Sequence, residues 1–448
     1  MRGYIRAVRQ SFSLFPARQS GGAPGPGTVQ VSVIIPALGE AENLAALLPE
    51  LRDRLVSLGI SHEILVVDHA PDAAVAAVAD ANGAVLLEEP RVGYGAALRC
   101  GFARAGGEYV LTMDADLSHP ARFIERLWGA RGDADVLIAS RYVPGASYRM
   151  PILRTVLSRA LNLVFSRGLD LRVRDMSSGF RLYRARVLES LDLESSDFAV
   201  LQEILVKAHC QGWGIREVPF EYRPRLHGAS HARIIAFGVS YARTFRALCR
   251  MRNSTQSADY DGRAFDSVIP VQRLWQRRRC REVADLIAGE GPTLDVGCGS
   301  SRSIATLPPG SVAVDILLRK LRYARRYGIL LAQAAGTALP FRDATFPCVL
   351  CSQVIEHVPK DAGMLEELER VLAPGGKLII GTPDYARWEW RVTEAAYRRA
   401  LPGAYADEHI SRYTRDELLS RFRDRGYAVE AVRYVARGEL IMKVRKPG

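Results

Sequence analysis

Apolar positions in the first half of the chain fall into short runs separated by stretches with helical spacing. Val31-Ser-Val-Ile-Ile35 stops at Pro36, and Glu63-Ile-Leu-Val-Val67 stops at Asp68. Val85-Leu-Leu87, Tyr109 to Met113 and Val136 to Ala139 follow. Such short, nearly continuous runs predict strands covered on both faces. Asn43 to Leu58 repeats its leucines at helical spacing between the first two. Alternating strand and helix predicts a parallel sheet with ligands at the carboxyl ends of its strands. Asp68 and Asp114 terminate two of these runs and are expected on that edge.

The pattern then changes. Ala232 to Met251 predicts a basic amphipathic helix, with Ile234, Tyr241, Phe245 and Leu248 on one stripe and Arg233, Arg243, Arg246 and Arg250 around it. A helix of this kind lies in a bilayer interface or packs on a core. Asn253 to Gly262 is polar and predicts a linker. Val271 to Ala288 predicts a helix carrying Arg277-Arg-Arg279, and a second strand series starts at Thr293-Leu-Asp295-Val. The expected organisation is a basic tail over 1–29, an α/β domain over 30–253, a linker over 254–269 and a second α/β domain over 270–448.

At 448 residues and nearly half hydrophobic, the chain can build two or three sizeable cores. Its formal charge of +12 favours an anionic partner such as a nucleotide, a phosphate or a membrane surface. Nucleic acid is not expected, because no nucleic-acid-binding module accompanies the charge. Seven scattered Cys, with no signal peptide, predict free thiols in a reducing cytoplasm. Cys348 and Cys351 fall in a strand-like run and are read as packing residues. No apolar run is long enough to cross a bilayer. Membrane contact is therefore expected to be peripheral, on the cytoplasmic face. The tail is read as a disordered start, with contact of Arg2, Arg6 and Arg9 with anionic lipid as the alternative.

The candidate chemistry centres on Asp114-Ala-Asp116. Positions i and i+2 of a strand share a face, so the two carboxylates would repel unless a cation lay between them. Oxygen ligands suit Mg²⁺ or Mn²⁺, which in turn suits a diphosphate. Arg91-Val-Gly93-Tyr-Gly95 places glycines just before a helix, where backbone N–H groups approach an anion.

The ordered series of motifs over residues 31–253 resembles an inverting family 2 glycosyltransferase with the GT-A fold, and more narrowly its dolichol-phosphate mannosyltransferase branch. Pro36-Ala-Leu-Gly-Glu40, Val67-Asp68, Gly93-Tyr-Gly95-Ala-Ala-Leu-Arg99 and Asp114-Ala-Asp116-Leu-Ser-His-Pro120 carry the resemblance. Ser140-Arg141-Tyr142, Leu157-Ser-Arg159-Ala-Leu-Asn162 and Asp175-Met-Ser-Ser-Gly-Phe-Arg181 continue it. The sequence departs at Gly39, His69, Gln202-Glu203 and Gly228-Ala-Ser230-His231. The resemblance implies that Asp114 and Asp116 hold the metal. It also implies that Pro36, Glu40, Asp68 and Gly95 bind the nucleotide-diphosphate sugar donor, with Asp68 at the base. A phosphate acceptor is largely ionised near pH 7 and needs cationic positioning rather than a general base. Arg141, Arg154, Arg159 and Arg225, with Ser230, are the expected partners of a polyprenyl phosphate. The alternative acceptor is a sugar hydroxyl, with Glu203 or another carboxylate as base.

Residues 270–448 resemble a Rossmann-like class I S-adenosylmethionine-dependent methyltransferase. Asp295-Val-Gly297-Cys-Gly299 and Val312-Ala-Val-Asp315 open the resemblance, and Leu339-Pro-Phe, Val354-Ile-Glu356-His357-Val and Pro374-Gly375-Gly376 continue it in order. S-Adenosylmethionine is the implied cofactor, with Asp295, Gly297, Gly299 and Asp315 around it. Ala335 stands where the family places an acid against adenine. His357 and His409 are read as core or surface histidines, with service to an acceptor as the alternative. The methyl acceptor expected from the fusion is a related glycolipid or glycan; the alternative is a non-catalytic interaction module.

Overall fold

The computed structural model describes residues 29–148, 152–222, 234–400 and 409–448. They divide into two compact units, one within Ser20–Arg252 and one from Asn253 to Gly448. The basic tail of the sequence reading lies outside the described residues, apart from Val29.

The first unit is built on β1 (Val31–Pro36), β2 (His62–Asp68), β3 (Val85–Glu88), β4 (Tyr109–Thr112), β5 (Val136–Ser140), β6 (Ser147–Tyr148), β7 (Arg181–Arg184), β8 (Ile215–Pro219) and β9 (Glu221–Tyr222). Seven of these form one sheet in the order β3-β2-β1-β4-β7-β5-β8, and β6 pairs with β9. Strand β7 runs antiparallel to both neighbours, β4 and β5. The sheet is therefore mixed, not purely parallel as the alternating pattern predicts. The carboxyl ends of β1, β2, β4 and β5 still share one edge, the arrangement of a GT-A glycosyltransferase. Both faces are covered: Val33, Ile35 and Val66 enter one core, while Ile34, Leu65 and Val67 enter the other. Leu44, Leu47, Leu48, Leu51 and Leu55 of the helix Ala41–Ser57 fill the first core.

The helix expected near 232–251 forms at Ile234–Arg252. Three residues of its stripe pack on protein: Leu248 is buried, and Tyr241 and Phe245 pack edge-on against Phe165 of the second core, while the Ile234 side chain lies outside the described residues. Periodicity correctly gave an apolar face, and Phe165 of the helix Ile152–Gly168 is part of what covers it.

The second unit carries β10 (Thr293–Val296), β11 (Val312–Asp315), β12 (Leu330–Gln333), β13 (Phe346–Ser352), β14 (Leu372–Pro383), β15 (Ala428–Val435) and β16 (Glu439–Arg445) in the order β12-β11-β10-β13-β14-β16-β15. All neighbours are parallel except those of β16. This is the Rossmann-like order of a class I methyltransferase. Cys348 and Cys351 are buried in β13, as packing residues.

The linker expected over 254–269 is instead part of this unit. Ala258, Tyr260 and Ala264 are buried around a short helix, Tyr260–Phe265. The Asp261 carboxylate accepts hydrogen bonds from the Ser300 N–H (3.0 Å) and the Lys320 ammonium (3.0 Å). Polar side chains here bond inward, so low hydrophobicity did not mean an open chain.

Candidate active sites of the two units

Strand β4 ends at Thr112, two residues before Asp114. The two carboxylates therefore sit in the following loop, where strand alternation no longer sets their direction. Met113 is buried and its N–H reaches the Ile34 carbonyl at 3.2 Å, which extends the pairing one residue. Asp114 keeps 31% of its side chain exposed. Its Oδ1 accepts from the Tyr94 hydroxyl at 3.0 Å, and its N–H donates to Nδ1 of His119 at 2.9 Å. Burial and the adjacent carboxylate keep the Tyr94 hydroxyl protonated as the donor. A ring nitrogen that accepts is unprotonated, so the His119 hydrogen sits on Nε2, 3.8 Å from Asp114 Oδ2. Asp116 is buried, and its Oδ1 accepts from the Ser118 N–H at 3.1 Å. Tyr94 and His119 lie inside quoted motifs, but nothing in their spacing foretold that both would hold Asp114.

Asp68 ends β2 and is fully buried. Its oxygens accept from the Gly39 N–H (3.1 Å) and the Ala70 N–H (3.2 Å), so it folds the Pro36–Glu40 turn onto the sheet edge. Glu40 accepts from Asn43 at 2.5 Å.

Gly95 has a different job from the expected anion approach. A Cβ there would stand 2.5 Å from the Ser195 carbonyl oxygen, and the Ala96 N–H donates to the Ser196 carbonyl. The glycines of this turn admit the 195–197 loop, and one of the helix-start N–H groups is spent on it.

Arg141 and Arg159, expected to act alike, separate in the structure. Arg141 closes a fork on fully buried Asp175 through Nε (2.8 Å) and Nη2 (2.7 Å), and its N–H joins at 3.0 Å. Although burial opposes it, the Asp175 carboxylate holds the guanidinium pKa above its usual value. Arg159 is exposed and lies over the Tyr142 and Tyr148 rings, 5.6 and 5.7 Å from their centroids. The helix bearing it is pinned by Ser158 Oγ, which accepts from the Tyr142 hydroxyl at 2.8 Å, and by Asn162, which bonds Met176 and Ser177. The Arg154 side chain, Arg225 and Ser230 lie outside the described residues.

Glu203 is not placed as a base. One oxygen accepts from the Glu194 N–H and pairs with Lys207 at 2.7 Å; the other accepts from the Ser195 N–H. Against burial, these partners hold its pKa below the usual range. The carboxylate shapes the 194–195 turn from inside.

In the second unit, Gly297 and Gly299 take φ values of 73° and 56°, which bend the chain sharply after β10. Asp315 accepts from the Gly299 N–H and the Leu317 N–H, both at 2.8 Å, and so locks the glycine turn to the end of β11. Asp295 is buried with one carboxylate oxygen that has no hydrogen-bond partner. Burial, and then the nearby Asp315, push its pKa up to about 7. An acid with a raised folded pKa keeps a proton that the unfolded chain loses at about pH 4. Its contribution to stability is therefore largest at low pH and falls as pH rises through about 7. Asp295→Asn is expected to melt close to wild type at pH 5 and above it at pH 8. Thermal unfolding at the two values checks this, and an unchanged difference would contradict the assignment.

The family profile Glycosyl transferase family 2 matches residues 32–192, and the profile Methyltransferase domain matches residues 294–380. The chain is 33% identical over 231 residues to polyprenol monophosphomannose synthase of Mycolicibacterium smegmatis, covering 48% of this chain and 86% of that protein. It is 34% identical over 212 residues to dolichol-phosphate mannosyltransferase of Pyrococcus furiosus, covering 45% of this chain. It spans 59% of that relative's length. Among solved structures, glucosyl-3-phosphoglycerate synthase from Mycobacterium tuberculosis, in complex with Mn²⁺, UDP and phosphoglyceric acid, is similar with a TM-score of 0.42 at 20% identity. That match covers 49% of this chain and 78% of the other. The chain belongs to glycosyltransferase family 2 and carries a methyltransferase domain in its second half.

Proposed function

We propose that the first unit transfers a sugar from a nucleotide-diphosphate donor to a polyprenyl phosphate with a divalent cation, Mg²⁺ or Mn²⁺. The observation that carries the acceptor is Arg159, an exposed guanidinium with no carboxylate partner among the described residues, on the helix that follows the carboxyl edge of β5. A phosphate monoester is already a nucleophile near neutral pH, so the commitment of Glu203 to its own turn is no obstacle. The hard oxygens of Asp114 and Asp116 fit a divalent cation, and Asp114 is open to solvent on one side. When bound, the cation supplies charge neutralisation for the departing diphosphate. Tyr94 and His119 hold Asp114 in place, and Asp68 shapes the turn next to the donor.

No helix among the described residues is long and apolar enough to cross a membrane. The peripheral surface moves from the helix Ile234–Arg252 to the helix Ile152–Gly168. There Val156, Leu157, Leu163 and Val164 are all about half exposed on one stripe beside Arg159. This stripe is suited to a cytoplasmic bilayer surface that delivers the lipid.

The second unit is proposed to use S-adenosylmethionine, which supplies an electrophilic methyl group, on a related glycolipid or glycan. The unpartnered oxygen of Asp295 is the fit: a buried acid beside the glycine turn suits a cationic ligand.

Incubation with a panel of nucleotide sugars, polyprenyl phosphate and Mn²⁺ should add one hexosyl unit to the lipid by mass spectrometry. Arg159→Ala is expected to raise the KM for lipid phosphate about ten- to a hundredfold, since a charge-assisted contact is worth roughly 1.5–3 kcal/mol. Its melting temperature should stay at the wild-type value. Glycosylation of a free sugar hydroxyl while polyprenyl phosphate is ignored would overturn the acceptor assignment.

A further inference from the structure

We propose that Glu356, His357 and His409 form a binding site for a divalent transition-metal ion, distinct from the Asp114–Asp116 loop. The sequence reading treats both histidines as packing or surface residues. The backbone argues otherwise. Glu356 and His357 sit in a single turn, Ile355–His357, just past the carboxyl end of β13. The Ile410 and Ser411 N–H groups both donate to the Glu356 carbonyl, at 2.8 and 2.9 Å, and Ser411 Oγ donates to the Val358 carbonyl at 2.7 Å. This double hook carries His409 to His357. One ligand atom from each of Glu356, His357 and His409 lies within 4.8 Å of the others.

Two further observations point to a ligand. Glu356 is fully buried; one oxygen accepts from Thr382 Oγ1 at 3.2 Å, and the other has no hydrogen-bond partner. A buried carboxylate oxygen left unpaired is costly unless something cationic meets it. His409 is also held from behind. The Tyr385 hydroxyl lies 2.9 Å from Glu394, to which it donates, and 2.8 Å from Nδ1 of His409. The Glu394 carboxylate is 3.3 Å from the same nitrogen. A proton on Nδ1 satisfies both and makes Nε2 the nitrogen that can ligate, the arrangement that orients ligating imidazoles. Two imidazoles and a carboxylate select Zn²⁺, Fe²⁺ or Mn²⁺ over Mg²⁺ and leave coordination positions unfilled.

The site belongs to the same sheet edge as the glycine turn. The His357 N–H donates to the Val354 carbonyl, and Val354 is the side chain packed against Gly297. A metal there would acidify a hydroxyl group of an acceptor. That role rests on the methyltransferase reading; metal binding does not.

The test uses the full chain with Asp114→Asn and Asp116→Asn, which silence the first unit. It is titrated with Co²⁺ and followed by absorption, then by Zn²⁺ competition. One Co²⁺ per chain is expected, with visible bands and no thiolate charge-transfer band. His357→Ala and His409→Ala should each weaken binding by at least about a hundredfold. Tyr385→Phe, the gentlest change, should weaken it by about tenfold. Zn²⁺ should raise the melting temperature of the parent but not of the histidine variants. Absence of bands, a thiolate band, or binding untouched by either histidine variant would overturn the proposal. Metal binding in a protein that ignores S-adenosylmethionine would leave the site standing and refute the methyltransferase reading alone.

Discussion

Asp116→Asn should cut sugar transfer by at least about a hundredfold, or ~3 kcal/mol of barrier, on the scale of the charge stabilisation a bound cation provides. Asparagine keeps a carbonyl oxygen for the Ser118 N–H, so the loop retains its internal bond while losing the charge. The melting temperature should therefore stay with wild type while kcat falls. Asp114→Asn should behave similarly, since the Tyr94 hydroxyl can still donate to the amide oxygen. Steady-state kinetics with Mn²⁺ and with chelator separate the outcomes. Wild-type turnover that survives full chelation would remove the metal from the reaction.

Arg141→Ala should destabilise the first unit rather than spoil acceptor binding. Asp175 is fully buried and takes three hydrogen bonds from this one arginine. Removing one partner of a buried pair costs about 3–5 kcal/mol, because the remaining charge is left in a dry site. In a unit of this size that lowers the melting temperature by on the order of 10 °C. Arg141→Lys keeps the charge but cannot reproduce the fork, and should recover only part of the loss. Removing Asp175 as well should cost less than the sum of the single changes, the signature of a shared interaction. An Arg141→Ala protein that melts with wild type yet discriminates against lipid phosphate would return Arg141 to the acceptor site.

The contrast between these arginines shows what the sequence could and could not reveal. The end of β2 at Asp68 was legible, and that of β4 to within two residues of Asp114, because a buried strand is a run of apolar residues and its end is where the run stops. Both domains were legible because motif order survives substitution at single positions. The partner of a charge was not. Arg141 and Arg159 read as equal cations until Asp175 folds onto one of them. Glu203 reads as a free acid until Lys207, one helical turn on, closes over it. Strand β7 escaped notice because its four residues, Arg-Leu-Tyr-Arg, begin and end in charge. Arg181 is nevertheless fully buried, its guanidinium spent on the Met176 and Leu201 carbonyls. The helix Ile234–Arg252 displayed its stripe plainly, but an apolar stripe does not say whether protein or lipid covers it.

The Asp261–Lys320 pair bears on how this methyltransferase domain could be passed between proteins. The carboxylate lies upstream of the repeating strands and helices, in a stretch that looks disposable. Lys320 is 6% exposed and pairs with it at 3.0 Å, with Asp315 also close enough to feel its charge. Gene fusions that joined the domain to a new neighbour at residue 270 would inherit a buried ammonium with one acid fewer and a Ser300 N–H that has lost its carboxylate. Recombination that preserves the domain therefore has its seam near Asn253, and the polar residues after it travel as part of the domain.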